Sequence, residues 1–122
     1  MRQGGLRSAA VAVLLCGSVA APAHAEAAAN PALPGARQQQ LVRMVRQDCG
    51  SCHGMRLTGG LGPALTAQAL ADKPVAALAA TIFHGRPGTP MPGWRAMLTE
   101  SEAQWIAEQL LAGFPAEAEP QR

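Results

Sequence analysis

Cys49-Gly50-Ser51-Cys52-His53 reads C-x-x-C-H, the spacing by which a chain attaches a c-type haem. Two thiols three residues apart reach the two vinyl groups of one porphyrin, and the next residue swings its imidazole over the iron. Cys49 and Cys52 are therefore the expected thioether anchors, and His53 the expected proximal ligand, of one covalent haem c. Half of a zinc site or a lone disulfide would use the same thiols. Zinc, however, needs a second pair of ligands, and the remaining cysteine, Cys16, is badly placed to supply it. The motif points to redox chemistry.

Cys16 lies in a segment expected to be removed. Residues 1–7 carry Arg2 and Arg7 and no acid, residues 8–21 are almost wholly apolar, and Ala23-His24-Ala25 offers a small-residue cleavage site. This is the pattern of a secretory signal peptide over residues 1–25, cut after Ala25, and it places the mature chain in the periplasm. Acylation of Cys16 is the alternative, but Leu15 rather than a small residue precedes it. The apolar run is also short for a retained membrane anchor, which needs about 20 residues.

Removing 25 of the 122 residues leaves a single small domain with a thin core. A buried porphyrin would supply apolar surface that the protein itself lacks. Two of the ten basic residues leave with the signal while all eight acidic residues remain, so the mature chain carries no net charge. That composition argues against nucleic acid and anionic membranes as partners. With Lys73 the only lysine, long-range electrostatic steering is not expected either.

Residues 26–35 are rich in alanine and proline and read as a flexible leader. From 36 to 48, Leu41, Val42, Met44 and Val45 fall at helical spacing, leaving Arg37, Gln38, Gln40, Arg43, Arg46 and Gln47 for the wet face. Residues 54–63 hold four glycines and a proline, a loop composition. Thr66 suits the N-cap of a short helix to about Ala71. Pro74 suits the first turn of another, through Val75, Leu78, Ala79, Ile82 and Phe83 to a stop at Gly85. Residues 86–94 contain three prolines and two glycines and read as a rigid extended loop. Thr99-Glu100-Ser101-Glu102 is a capping box opening a terminal helix with Trp105, Ile106, Leu110 and Leu111 on one face, ending near Gly113. Residues 116–122 form a tail. No stretch alternates as a strand, so the expected fold is all-α, helices and long loops around one haem.

The sixth iron position has five candidates: Met44, Met55, Met91, Met97 and His84. Met91 is the expected distal ligand, because Pro90 and Pro92 restrict the backbone on either side of it. Met44 falls on the apolar face of the first helix, Met55 is too near the attachment motif to reach the opposite porphyrin face, and Met97 reads as packing below the terminal helix. His84 is the rival, since bis-histidine ligation is also common haem chemistry, but it stands beside Gly85 at a helix end, where a histidine needs no special function.

The order of helix, C-x-x-C-H, Gly-Pro loop, methionine loop and terminal helix resembles the monohaem class I cytochromes c, over nearly all of residues 36–115. In that family the carbonyl of the proline in the Gly-Pro segment accepts a hydrogen bond from the proximal imidazole, and the resemblance gives that place to Pro63. It also gives Trp105 a structural role at the helix crossing. Leu41 and Val45 depart from the glycine and aromatic often found there. Leu57-Thr58-Gly59-Gly60-Leu61-Gly62-Pro63-Ala64-Leu65 and Gly85-Arg86-Pro87-Gly88-Thr89-Pro90-Met91-Pro92-Gly93-Trp94 look more narrowly like the small periplasmic cytochromes called c-55X or NirC, which accompany dissimilatory haem-containing nitrite reductase.

That resemblance implies a one-electron carrier for denitrification, not an enzyme, with nitrite reductase and an upstream periplasmic or membrane donor as partners. The alternative is a factor in maturing the reductase's d-type haem. A peroxidase would need an open sixth position, and a sensor an output domain for which the chain has no room. Arg86 and Trp94 are candidates to hydrogen-bond the haem propionates. Gly54, Met55 and Leu61 are expected near the exposed haem edge, and the chain is expected to act as a monomer.

Overall fold

The computed structural model describes residues 32–115. The expected signal peptide, most of the leader and the tail at 116–122 lie outside the described residues. Helix α1 (Gly35–Met44) runs without a break into a π-helical turn (Val45–Cys49) and then α2 (Gly50–His53). A short α3 (Ala67–Leu70), α4 (Val75–His84) and α5 (Glu100–Leu111) follow, and no strand occurs among the described residues.

The first helix thus differs from expectation in two ways. It extends through the attachment motif to Gly54, where a left-handed φ of 84° stops it. It also widens just before the first cysteine, the Gly50 N–H reaching back five residues to the Val45 carbonyl. Such turns are rare and cluster at functional sites. The folded part begins ahead of residue 36, because Leu33 packs against the core and its carbonyl accepts from the Gln38 side chain at 2.8 Å.

Apolar periodicity explains the packing. Leu41 and Val45 from the first helix meet Leu57, Leu70, Leu98, Ile106 and Leu110 in one buried cluster. On α5 the buried stripe is Ala103, Ile106, Ala107 and Leu110, with Trp105 and Leu111 half-buried at its flanks. Helix α5 packs against α4 and α3. Met44 lies at the edge of the cluster, as its position on α1 predicts, whereas Met97 is exposed and does not pack beneath α5.

The expected short elements form for the expected reasons. The Thr66 hydroxyl accepts from the Ala69 N–H at 3.2 Å and starts α3. Pro74 precedes α4, and Gly85 at φ 76° ends it. Thr99 and Glu102 form a reciprocal capping box on α5, the Thr99 N–H donating to Glu102 Oε2 at 2.8 Å.

Two arginines expected on the wet face of the first helix, Arg37 in α1 and Arg46 in the π turn, instead make long-range contacts. Arg37 donates through Nε to Glu102 Oε1 and through a terminal nitrogen to the Met97 carbonyl, tying α1 to the start of α5. Arg46 donates to the carbonyls of Phe114 and Pro115 at 3.1 and 2.8 Å and sits over the Phe114 ring. The aliphatic stem of arginine lets it span a helix surface while its head finds acceptors elsewhere.

Glu102 is 7% exposed. Its hydrogen bond from Arg37 holds the carboxyl below its ordinary 4.5, against burial, which opposes the charged form, and with help from the Thr99 N–H. A carboxyl depressed in the folded state contributes stability above its unfolded value, and loses it as pH falls through the folded one. Glu102→Gln is therefore expected to lower stability at pH 7 by about 1–2 kcal/mol, and to flatten the fall in stability on acidification below about pH 4.5. Urea titrations of both proteins from neutral pH into the acid limb test this. Parallel curves would show that Glu102 does not carry the acid sensitivity.

Candidate haem site

The helical conformation of the attachment motif puts its three functional side chains in different environments. Cys52 is exposed, Cys49 is half-buried against the core cluster, and His53 is buried, at 8% exposed. Burial, aided by the neighbouring charge of Asp48, pushes the Cys49 thiol up to about 11. The described residues hold no group of three or more His, Cys, Asp or Glu side chains placed to share a metal ion, so they assemble no zinc ligand set.

Loop 54–63 folds back over the end of α2 and satisfies its last carbonyls. The Gly59 N–H donates to the His53 carbonyl and the Gly62 N–H to the Cys52 carbonyl, both at 2.8 Å. This brings the Pro63 carbonyl to 2.7 Å from His53 Nδ1. A carbonyl only accepts, so Nδ1 is the donor, which in the neutral imidazole leaves the Nε2 lone pair for an iron ligand. The Pro63 contact expected from the resemblance is present.

Gly62 makes this approach possible. A Cβ there would lie 2.7 Å from His53 Cε1 and 2.8 Å from Nδ1. Its backbone is not left-handed, so the need is for space rather than for an unusual φ. Gly60 is similar, a Cβ there meeting the Cys52 carbonyl at 2.7 Å. Leu57 anchors the loop from the other side. It is buried in the core at φ 61°, a conformation costly for leucine, and its carbonyl accepts from the Leu65 N–H at 2.8 Å. Glycine-rich composition predicted the loop, but nothing local marked Gly62 or Leu57 as supports of the histidine.

The donor set fits a covalent haem. Two uncrosslinked thiols stand three residues apart, and one imidazole presents Nε2 from a glycine-cleared cradle. Elsewhere in the fold, no residue of the strongly apolar α4 is fully buried, while Leu78 and Ile82 lean on the core. Met55 and Leu61, expected near the haem edge, are 62% and 95% exposed.

Of residues 86–93, Met91 alone is half-buried and the others are exposed. Among the other candidates, His84 is exposed and stacks edge-on against Phe83 at 5.0 Å. Arg86 is exposed, and Trp94 is half-buried against the core.

Residues 36–109 match the sequence family described as cytochrome C oxidase, cbb3-type, subunit III. Cytochrome c55X of Paracoccus denitrificans is 53% identical over 106 residues, which is 86% of this chain and 93% of that protein. The chain belongs to the c55X family of c-type cytochromes. Among solved structures, the c-type cytochrome NirC is 52% identical with a TM-score of 0.64, over 66% of this cytochrome and 94% of NirC. A second likeness is to dihydro-heme d1 dehydrogenase NirN in complex with DHE, 34% identical with a TM-score of 0.54. It covers 65% of the cytochrome but only 17% of NirN.

Membership makes this an electron carrier with haem c as its cofactor, and not an enzyme. The bound haem supplies the one-electron couple between ferric and ferrous iron. The protein's own residues do the rest. The Pro63 carbonyl orients the His53 imidazole, and the glycines of loop 54–63 let backbone close over it. No helix of the described residues is long and apolar enough to cross a membrane.

Proposed function

We propose that this cytochrome is exported to the periplasm, its signal peptide cleaved after about Ala25, and there delivers electrons to a dissimilatory haem-containing nitrite reductase. The observation that carries the reading is the likeness to c55X and NirC along nearly the whole length of those proteins. In this reading Cys49 and Cys52 hold the haem, and His53 and Met91 are its axial ligands. A neutral thioether opposite a buried imidazole favours the ferrous state and raises the potential, which suits forward delivery of electrons. Arg86 and Trp94 flank the methionine loop and are assigned to the propionates. Exposed Met55 and Leu61 suit a small, short-lived docking contact.

The likeness to part of NirN favours a second reading, a role in maturing the d-type haem. A dehydrogenation releases two electrons, which a one-electron carrier would remove in two encounters. Stopped-flow mixing of the reduced cytochrome with oxidised nitrite reductase separates the two. Fast haem oxidation, saturating with reductase, is expected. Negligible transfer, together with capture of the reductase lacking its d-type haem, would move the assignment to maturation.

A further inference from the structure

We propose that Gly85, Gly93 and Thr89 are positioning residues for the distal ligand, setting where Met91 stands and how firmly it is held. This rests on the assignment of Met91 as that ligand. The flanking prolines stiffen the segment but donate no hydrogen bonds, so its placement must come from other contacts.

Those contacts are made at the end of α4. The last carbonyls of a helix lack partners within it, and here Ile82 and Phe83 accept from the N–H groups of Trp94 and Arg95 at 3.1 and 3.2 Å. The chain leaving the methionine loop is thereby laid along the helix end, and the two backbones touch. A Cβ on Gly93 would lie 2.7 Å from the His84 carbonyl oxygen and 2.9 Å from that of Phe83. A Cβ on Gly85 would lie 2.5 Å from the Gly93 nitrogen and 2.8 Å from the Met91 carbonyl oxygen. All of these neighbours are backbone atoms that cannot swing aside. Gly85 is also left-handed at 76°.

From this crossing the loop closes on itself. The Arg86 N–H donates to the Met91 carbonyl at 3.2 Å. The Thr89 hydroxyl donates to the Arg86 carbonyl at 2.7 Å and accepts from the Met91 N–H at 3.4 Å. Both polar groups of the Met91 backbone are thus engaged, and Met91 is half-buried while its neighbours from 86 to 93 are exposed. The side chain of Thr89 reaches outside its loop for none of these bonds, so its hydroxyl acts on ligand placement with little bearing on the core.

The mature haem-bound protein is compared with Thr89→Val, Gly93→Ala and Met91→Ala. The readouts are the weak red-end absorption of methionine-ligated ferric haem, the rate of cyanide binding to the ferric protein, the reduction potential and the urea midpoint. Thr89→Val is expected to weaken the band and speed cyanide binding about three- to ten-fold, with the urea midpoint unchanged. Gly93→Ala is expected to lose most of the band. If Met91→Ala loses the band while Thr89→Val and Gly93→Ala keep wild-type band, potential and cyanide rate, the positioning role is overturned and the ligand assignment stands. If Met91→Ala keeps the band, the ligand assignment fails and the positioning role fails with it.

Discussion

Gly62→Ala is expected to abolish most formation of haem-linked protein, and to lower the stability of whatever forms. The added methyl group would stand 2.7 Å from the His53 ring, and the ring has nowhere to retreat. It is buried, its Nδ1 is tied to Pro63, and its own backbone carbonyl is bound by Gly59. If the imidazole swings away, Nε2 no longer stands where the iron ligand must be. If the loop moves instead, the hydrogen bonds from Gly62 to Cys52 and from His53 to Pro63 are lost together. Overpacking costs about 1–3 kcal/mol and each lost hydrogen bond about 0.5–1.5 more, against a total stability of roughly 5–15 kcal/mol. Haem-stained gels of periplasmic extracts give the yield, and the potential of any recovered protein reports on the histidine. Wild-type values for both would show that the cradle has slack that the distances do not suggest.

Met91→Ala is expected to remove the red-end absorption, open the sixth position to cyanide and carbon monoxide, and lower the reduction potential by on the order of 0.1 V or more, within the roughly 0.8 V that axial ligands control. The half-burial of Met91 in an otherwise exposed loop supports this. So does the position of His84, exposed at the end of α4 with its ring against Phe83. His84→Ala is the companion variant, and it should leave band and potential in place. Absence of the band from the unmodified protein, with a potential that His84→Ala shifts and Met91→Ala does not, would make His84 the ligand and the Pro90-Met91-Pro92 segment a rigid spacer. Loss of the band in neither variant would point to Met44, Met55 or Met97, of which the first lies at the core edge and the other two are exposed.

Much of the fold was legible because its signals are local. The Thr66 cap, the stop at Gly85 and the capping box of Thr99 and Glu102 each depend on groups within four residues of one another, and each formed as the side-chain chemistry requires. Periodicity correctly placed Leu41 and Val42 inward on α1, Val45 inward at the start of the π turn, and Ile106 and Leu110 inward on α5. It overrated Trp105 and Leu111, which flank the buried stripe. It also assigned Arg37 and Arg46 to solvent, because a charged side chain at an outer position carries no mark of a partner 65 to 69 residues away.

The sequence by itself determined the chemistry. Two cysteines and a histidine at one spacing specify the cofactor, since thioether anchoring and imidazole ligation are properties of five consecutive residues. It also determined the helices, through apolar period, caps and stops. Tertiary structure alone decided how that chemistry is held. It selected the π turn before Cys49, where the backbone hydrogen bond reaches back five residues and nothing in the local composition announces it. It chose Gly62 as the clearing for the imidazole and Gly85 and Gly93 as the crossing behind Met91, because a glycine's missing Cβ matters only where a second stretch of backbone arrives against it.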